Sequence, residues 1–520
     1  MFFFIPREMT RALNPKYTPP SRDSLSNVLI PAWYNVEKAN LITELTTVGK
    51  VALTSDSWTS LSQDHYLTVT AHYILEGETR QKVLTTKAVY EAQTGPVVAE
   101  EINEVLQEFG IMDKIVAVTV DNAANMDVAI KRLQFIKLGC FAHTLNLGAQ
   151  RVHSVASVAK WTAKIRNIVV WMKRSSLAKT VLREKQQVLN LPQHSLILDV
   201  KTRWNSLYLM IERFLEQYPA IQAASLDQRL RKPIERDRLA RLTDEDFRKG
   251  EEFVHLMRIL YTSTLCVSSE KSPTCGQILP ILQKLEKHFT VVEEDTVFLS
   301  SIKQAVWENL SKRYQGDDIR SFLEEATALD PRFKHKIEDS STVWVRIKEK
   351  LMVANVPEST KSRIDSEEGI AVQSNEEEIR KQRENDITDK GEREEEDDNP
   401  PPCKRAKISP LEELFAADDE QKIKSTESTT MSIDNKVDAE LRLYQALPPT
   451  MTSDDPAAWW WKQKNTYPFL SDLASSYLCV QASSTPSERV FSTAGDTISP
   501  ERSRILPEKA DMLIFLKKNC

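Results

Sequence analysis

The fold follows from one short stretch near the start of the chain, Val51-Ala52-Leu53-Thr54-Ser55-Asp56-Ser57-Trp58. Its first four positions hold small and β-branched residues between polar flanks, which predicts a buried strand. Asp56 then stands where such a strand would leave a sheet, a usual place for a ligand or a catalytic group. The alternative role for this acid is that of a strand-end cap.

The following residues predict a mixed sheet. Residues 66–75 alternate apolar and polar side chains, Glu76-Gly77-Glu78 makes a turn, and residues 80–90 run back as a further strand. The pattern then predicts, in order, a helix over 96–109, a strand over 115–120 that ends on Asp121, a helix over 123–133, a strand over 136–140 and a long helix to about residue 172. This order is similar to that of an RNase H-like sheet, whose first and fourth strands are neighbours. Asp56 and Asp121 are therefore expected to meet, although Asp121 has the same alternative role as a cap.

The composition predicts a multidomain globular protein. With 520 residues the chain is too long for one compact core, and 41% hydrophobic residues is ordinary for a folded protein. Only 12 glycines are present, with neither a GxGxxG motif nor a P-loop. Residues 366–399 carry 14 acidic and 5 basic side chains, so the rest of the chain is mildly basic despite a total charge of -6. A mildly basic folded part is compatible with phosphate contacts.

The cysteines and the first residues indicate an intracellular, soluble protein. Six cysteines lie far apart without a CxxC pair, which fits reduced thiols and provides no zinc-finger framework. The apolar start covers five residues, which is too short for a signal sequence or a membrane span. We expect no membrane partner and no small-molecule cofactor.

Five segments are predicted along the chain. Residues 1–40 are predicted to be an extended lead-in, in which Pro15, Pro19, Pro20 and Ser21 prevent a helix before about Ser24. The others are 41–150 for the first part of the sheet, 151–355 for an all-α domain, 356–437 for an acidic disordered linker and 438–520 for a C-terminal segment. A short strand-like run, Leu196-Ile197-Leu198, is expected within the all-α domain.

The predicted linker contains a compact basic cluster formed by Lys404, Arg405 and Lys407. Such a cluster on an exposed segment is typical of a nuclear-import signal, and a chance cluster in a charged linker is the alternative. The import interpretation predicts a nuclear protein.

The C-terminal segment is rich in aromatic and aliphatic side chains, which form either core or an oligomer interface. The residues predicted to serve dimerisation are Trp459, Trp460, Trp461, Phe469, Leu470 and Leu473. A helix is predicted to follow, with Ser484 or Thr485 as its N-cap and Pro486 in its first turn.

Six motifs in this order resemble those of the hAT transposase superfamily, and most closely its BED-type zinc-finger-containing branch. They are Thr54 to Trp58, Val120 to Met126, Cys140 to Asn146, Thr202 to Ser206, Ala328 to Lys334 and Ser483 to Ser492. The resemblance covers residues 13–516. It implies an α/β RNase H-like core with a mixed five-stranded sheet, interrupted by a large all-α insertion and completed by a C-terminal hAT dimerisation segment.

The resemblance also implies a catalytic site. Asp56, Asp121 and Glu488 match the three acids of the family, which hold two Mg²⁺ ions for DNA strand cleavage and transfer. Carboxylates suit this role because Mg²⁺ prefers oxygen ligands, and two such ions stabilise the attacking and leaving oxygens of a phosphoryl transfer.

The residues expected to contact DNA are His143, Arg203, Trp204 and Arg489. By resemblance, Trp204 would support a base flipped out of the duplex, since an indole can stack on a base while a neighbouring guanidinium holds phosphate. The alternative for Trp204 is packing at a helix start. The alternative for Cys140 and His143 is a buried pair at the strand-to-helix turn, and zinc is not expected there because four ligands are not available.

Two functions remain open from the sequence. The three acids favour a metal-dependent DNA transposase. Members of this branch carry BED zinc fingers ahead of the matched region, and this sequence shows no such pattern, as expected of a truncated gene model, a short isoform or a domesticated remnant. The missing finger favours the second function, that of a domesticated, catalytically inactive DNA-binding or transcription-regulatory protein. Both functions predict DNA as a partner and a homodimer or higher oligomer.

Overall fold

The computed structural model describes most of the chain. The described residues are 14, 16, 20–60, 63–201, 203–231, 242–337, 340–355, 432–498 and 505–520. Residues 356–431 of the predicted linker, including the import candidates Lys404, Arg405 and Lys407, lie outside them. The end of the predicted linker is wrong, because a helix begins at Ile433, where Val437, Leu441 and Tyr444 are buried at helical spacing.

The chain forms two compact units. The first comprises Met1–Ile347 and Gln445–Cys520, and the second comprises Lys348–Tyr444. The predicted sheet, most of the predicted all-α region and most of the predicted C-terminal segment thus belong to one unit, and their division into domains stays a prediction. Within the second unit, Lys348 Nζ pairs with the carboxylates of Asp434 and Asp438 at 2.9 and 2.7 Å.

The first unit contains a mixed five-stranded sheet, as predicted. Its strands are β1 (Val51–Thr59), β2 (His65–Leu75), β3 (Glu78–Val89), β4 (Ile115–Val120) and β5 (Ile136–Gly139), in the order β3-β2-β1-β4-β5. β1 to β3 pair antiparallel, whereas β1 with β4 and β4 with β5 pair parallel. The neighbouring positions of the first and fourth strands are confirmed. The tight turn between β2 and β3 is possible because Glu76 and Gly77 adopt positive φ angles of 52° and 78°.

Along the chain, helices precede, separate and follow the strands of the sheet. Those near the sheet are α1 (Ile30–Thr47), α2 (Gly95–Glu108), α3 (Ala124–Arg132) and α4 (Phe141–Gln150). The helical region contains α5 (Ala156–Arg174), α6 (Ser176–Val188), α7 (Ser206–Glu216), α8 (Tyr218–Ser225), α9 (Asp244–Val267), α10 (Ile278–Phe289), α11 (Val297–Leu310), α12 (Asp317–Ala328) and α13 (Ser340–Ala354). The C-terminal helices are α14 (Ile433–Ala446), α15 (Pro456–Gln463), α16 (Pro468–Leu478), α17 (Thr485–Thr497) and α18 (Pro507–Asn519). None of the described helices combines the length and the apolar composition needed to span a membrane.

Three predicted elements differ from the structure. The extended lead-in is wrong for residues 22–40, which are helical, because Pro31 lies in the first turn of α1, where it is tolerated, and Tyr34, Leu41 and Leu45 bury one face. The long helix to residue 172 is two helices separated by the 3₁₀ turn Arg151–Ser154. The run Leu196–Leu198 is not a strand, since the segment 191–200 has no regular structure.

The two faces of the sheet have different chemistry. One face is apolar and packs on α1, α2 and α3 through residues such as Leu53, Val69 and Tyr73. The other face carries buried polar side chains, among them Thr54, His72 and Thr119. Since successive side chains in a strand point to opposite faces, Asp56 lies on the same face as Thr54. The C-terminal helices α16, α17 and α18 lie on the sheet, and Ser487 of α17 hydrogen-bonds Thr54 on this polar face.

The edge strand β3 is covered by the last helix. Asn519 of α18 accepts a hydrogen bond from Val83 N at 2.9 Å and donates one to Val83 O at 2.7 Å. Asp511 accepts from Thr86 N at 2.5 Å. These bonds satisfy backbone groups that an edge strand otherwise leaves unpaired, so the C-terminus is fixed to the sheet.

Candidate active site

Asp56 and Asp121 lie at matching levels of neighbouring parallel strands. Thr54 of β1 is in register with Thr119 of β4, and each acid is two residues further on, hence on the same face. Asp121 follows the end of β4, as predicted. Asp56, in contrast, lies within β1, which continues to Thr59 because it still pairs with β2.

Both acids also make local hydrogen bonds. Asp56 Oδ1 accepts from Ser57 N at 2.8 Å, and Asp121 Oδ1 accepts from Ala123 N at 3.1 Å. The second bond lies just ahead of α3, so Asp121 does have the capping contact that was the alternative interpretation. Both bonds use Oδ1.

The segment from Gln481 to Glu488 crosses the polar face beside these acids. Thr119 Oγ1 donates to Gln481 O at 2.6 Å, and Phe141 N donates to Ala482 O at 2.8 Å. Further along, the hydroxyl oxygens of Ser487 and Thr54 lie 2.9 Å apart. Glu488 is the next residue and occupies the first turn of α17.

The three acids interact electrostatically. Burial raises the pKa of Asp56 well above its usual range, and the charges of Glu488 and Asp121 raise it further. Burial and the charge of Asp121 raise the pKa of Glu488 to about 7, against an opposing effect of Arg489. Residues remote in sequence therefore share one site in which three negative charges are unfavourable together.

The donors of this site fit Mg²⁺ by their chemistry. All three are carboxylates, the oxygen ligands that Mg²⁺ prefers, and a divalent cation would relieve the repulsion that adds to the raised pKa values of Asp56 and Glu488. Among the described residues, no group of three or more His, Cys, Asp or Glu side chains lies close enough together to hold a metal ion as the side chains stand.

Two of the residues predicted to contact DNA lie near each other, and one of them, His143, interacts electrostatically with Asp121. The rings of His143 and Trp204 lie 6.4 Å apart between centroids in an edge-to-face arrangement. Burial lowers the pKa of His143, with Asp121 opposing and Arg313 adding to the effect. Both side chains are half-buried, so each keeps an accessible surface.

The other two have different surroundings. Arg203 is exposed. The guanidinium of Arg489 contacts Glu270 Oε1 at 2.6 Å and donates to Ser268 O at 2.8 Å, which fixes α17 to the end of α9. Arg489 is thus a structural tether as well as the neighbour of Glu488.

Cys140 has a structural role beside His143. Its buried Sγ accepts hydrogen bonds from His143 N at 3.4 Å and from Ser484 N at 3.3 Å. The thiol is the N-cap of α4, and burial raises its pKa to about 11. This is the arrangement expected of the buried turn that was the alternative interpretation for this pair.

The sequence analysis missed several residues that shape the site. Thr54 and Ser487 join two remote segments, and His72 Nε2 lies 2.9 Å from Thr54 Oγ1. Burial lowers the pKa of His72 to about 3, so this histidine is a neutral hydrogen-bonding partner. The alternation of β1 could have indicated that Thr54 and Asp56 share a face, whereas nothing local marks Ser487.

The tryptophans of the C-terminal segment differ in burial. Trp460 is 1% exposed and donates from Nε1 to Leu329 O at 2.8 Å. Trp461 is 47% exposed, and Trp459, Phe469 and Leu473 are half-buried. Leu470 is buried. Trp460 and Leu470 are therefore core residues, and Trp461 remains available to a partner.

Three family models match parts of the chain. They are the ZBED1 RNase-like domain at residues 54–138, the ZBED1 RNase-like helical domain at 138–246 and the hAT family C-terminal dimerisation region at 440–520. The matches include all three acids of the candidate site.

Curated proteins are similar over nearly the whole chain. Zinc finger BED domain-containing protein 4 of Homo sapiens is 25% identical, covering 98% of this chain and 41% of that protein. Zinc finger BED domain-containing protein RICESLEEPER 3 of Oryza sativa subsp. japonica is 25% identical, covering 93% of this chain and 63% of that protein. Putative AC transposase of Zea mays is 24% identical, covering 98% of this chain and 62% of that protein. The chain thus spans from about two fifths to just under two thirds of the length of these relatives.

A solved structure, the Drosophila P element transposase strand transfer complex, is similar over 60% of this chain and 78% of that one, with 13% identity and a TM-score of 0.22. A score this low establishes no shared fold.

Proposed function

This chain is a hAT-family, BED-related transposase-like protein, and we propose that it binds DNA in the nucleus and cleaves and transfers DNA strands at Asp56, Asp121 and Glu488. The observation that carries this proposal is that the pKa values of Asp56 and Glu488 are raised, by burial and by the charges of the neighbouring acids, Asp121 among them. Perturbed acids gathered in one place are typical of catalytic sites, and a purely structural ion pair would lower such pKa values instead.

The architecture that supports this function is an RNase H-like core made by 41–150, interrupted by an all-α insertion over 151–355 and completed by 438–520. The strand order supports it, because β1 and β4 are neighbours and place two acids side by side. The hydrogen bond between Thr54 and Ser487 supports it too, because it fixes the third acid opposite them.

The three carboxylates would hold two Mg²⁺ ions. When bound, such ions stabilise the attacking and leaving oxygens of a phosphoryl transfer. The contribution of the chain is to fix the carboxylates: β1 and β4 hold Asp56 and Asp121 in register, and α17 presents Glu488. Burial of this site strengthens the attraction of the carboxylates for a cation.

DNA contacts are proposed on the side of His143 and Trp204. The His143 ring feels the charge of Asp121 and lies 6.4 Å from the Trp204 ring, so a base stacked on Trp204 would bring its strand towards the acids. Arg203 is exposed next to Trp204 and would contact phosphate, and Arg489 would do so only by leaving Glu270.

The C-terminal segment is proposed to form a homodimer. The match of residues 440–520 to a dimerisation region supports this assignment, and the exposed indole of Trp461 offers an apolar surface for a second copy.

The test is metal-dependent nicking of labelled duplex DNA by the purified 520-residue protein. We expect cleavage with Mg²⁺ or Mn²⁺, its loss in Asp121→Asn, and its retention in Asp113→Asn, which removes the same charge from an exposed position before β4. Cleavage that is unchanged in Asp121→Asn would contradict the proposed site.

The second function, that of a catalytically inactive DNA-binding dimer, gives another result in the same assay. The wild-type protein would then retard the duplex in a gel without nicking it under any metal condition. The nuclease assay and the binding assay on one preparation therefore separate the two functions.

A further inference from the structure

A cavity of about 300 Å³ adjoins the candidate active site on the side of β5. Its walls include Asn122, Gly139, Thr144, Arg313 and Tyr314. Asn122 follows the acid Asp121 and Thr144 follows His143 along the chain, so two walls of the cavity are the chain neighbours of site residues.

Close contacts hold the walls of this cavity in place. Tyr314 donates from its hydroxyl to Gly139 O at 2.6 Å, which ties the segment after α11 to the end of β5. Tyr314 has a φ of 58°, a left-handed conformation that is uncommon for a bulky residue. A Cβ atom on Gly139 would lie 2.8 Å from Asn122 Oδ1, so only glycine lets the Asn122 amide lie against this strand end.

Among the residues that line the cavity, Arg313 is unusual in its hydrogen bonding. Its Nε atom is buried without a hydrogen-bond partner, and among the described residues no carboxylate forms a salt bridge with it. Lys137, at the same cavity, is paired with Asp127. The charge of Arg313 nevertheless reaches the active site, because it lowers the pKa of His143. A buried guanidinium donor without a partner is costly unless a ligand accepts from it.

We propose that Arg313, with Asn122 and Thr144, binds a backbone phosphate of the DNA strand that the three acids act upon. This inference rests on the proposed function and specifies how its substrate is held. A guanidinium matches the oxygens of a phosphate in pairs, and amide and hydroxyl groups are common phosphate donors. Three carboxylates repel a polyanion, and the cation of Arg313, whose charge acts on the neighbouring His143, offsets that repulsion where the strand has to approach.

The main test compares Arg313→Ala with Lys312→Ala in the full-length protein. Lys312 is the neighbouring cation, but its side chain is 69% exposed and paired with Glu308. Binding of a fluorescent 30-base-pair duplex is measured by anisotropy over a range of salt concentrations, without divalent metal. We expect Arg313→Ala to weaken binding and to reduce the slope of log K against log salt by about 0.9, the value for one phosphate contact. Arg313→Lys should restore part of the affinity, and circular dichroism checks that each variant is folded.

Arginine modification gives a second, mutation-free measurement. Phenylglyoxal treatment followed by peptide mass mapping should label Arg313 in the free protein and spare it in the DNA complex. Arg320, whose side chain is 43% exposed and which pairs with Glu324, is the internal control and should be labelled equally in both.

The outcomes separate this inference from the proposed function. If the wild type binds DNA but Arg313→Ala binds with the same slope, or if DNA leaves the labelling of Arg313 unchanged, the phosphate site is wrong while the DNA-binding function stands. If the wild type binds no DNA, the proposed function fails and the phosphate site fails with it.

Discussion

The hydroxyl oxygens of Thr54 and Ser487 lie 2.9 Å apart, although 433 residues separate them in the chain. Thr54 is two residues before one candidate acid, and Ser487 is one residue before another. This buried contact therefore sets the position of Glu488 relative to Asp56 more directly than any other described hydrogen bond. Thr54 also hydrogen-bonds His72, which lies on the neighbouring strand β2.

Removing the Ser487 hydroxyl should loosen α17 on the sheet. Ser487→Ala leaves the buried Thr54 hydroxyl with one partner fewer, and we expect a loss of about 1–3 kcal/mol in the free energy of unfolding. Urea denaturation measures this loss. Ser492→Ala is the control, because Ser492 is exposed on the same helix and should cost less than about 0.5 kcal/mol. Equal effects of the two substitutions would show that the contact does not fix the helix.

The stability of the protein should depend on pH through Glu488. In the folded state its pKa is raised to about 7, so between roughly pH 4.3 and 7 the folded protein retains a proton that the unfolded chain has released. The contribution of Glu488 to the free energy of unfolding therefore falls as the pH rises through this range and stays low above it. Glu488→Gln should thus be more stabilising at pH 8 than at pH 5, by about 1–3 kcal/mol.

Urea denaturation at the two pH values measures this difference. Glu508→Gln is the matched control, since it removes the same charge from an exposed position on α18. If Glu488→Gln changes the free energy of unfolding by the same amount at pH 5 and at pH 8, the raised pKa of Glu488 is contradicted.

Magnesium should stabilise the folded protein if the acids bind it. A cation that binds the native state alone raises the melting temperature with its concentration, and the effect should be larger at pH 8, where Glu488 is ionised. Differential scanning fluorimetry with and without EDTA measures the shift. Asp56→Asn should reduce it and Asp113→Asn should not, whereas equal shifts in these two variants would place the bound ion elsewhere.

The buried ion pair between Asp330 and Arg332 should be essential for stability. Their side chains are 0% and 4% exposed and 2.7 Å apart, and Arg332 also donates to Pro273 O at 3.1 Å. Arg332→Met leaves the Asp330 carboxylate buried without its cation, so we expect the free energy of unfolding to fall by about 3–5 kcal/mol. The control Arg320→Met breaks a pair whose side chains are 43% and 20% exposed, and Glu324 keeps Arg346 as a partner, so the cost should be less than about 1 kcal/mol. Urea denaturation of both variants tests the contrast, and similar losses would contradict it.

Dimerisation should depend on Trp461. Trp461→Ala is expected to shift the mass measured by light scattering from that of a dimer towards the 59.4 kDa monomer. Trp33→Ala is the matched control, because Trp33 on α1 is 44% exposed, close to the 47% of Trp461. A wild-type protein that is monomeric at micromolar concentration, or equal masses for the two variants, would exclude this interface.

Local patterns in the sequence predicted the elements of the sheet well. The alternation in β2 and β3 and the apolar runs of β1 and β4 fix strands through side-chain periodicity, which is a property of neighbouring residues. The extended lead-in was wrong over residues 22–40, because Pro15, Pro19 and Pro20 restrict only the residues next to them. Pro31 occupies the first turn of α1, and the burial of Tyr34 and Leu41 stabilises the helix.

What the sequence by itself determined is therefore the order of the strands and the presence of Asp56 and Asp121 at equivalent points of two of them. Only the tertiary structure decided that Glu488 acts on Asp56 and that Arg313 acts on His143. These residues follow or adjoin contacts between remote segments, such as Thr54 with Ser487 and Tyr314 with Gly139. The physical reason is that periodicity records which face of an element is buried, whereas the docking of remote segments depends on the complementary shape and hydrogen-bonding groups of surfaces that exist only after the chain has folded.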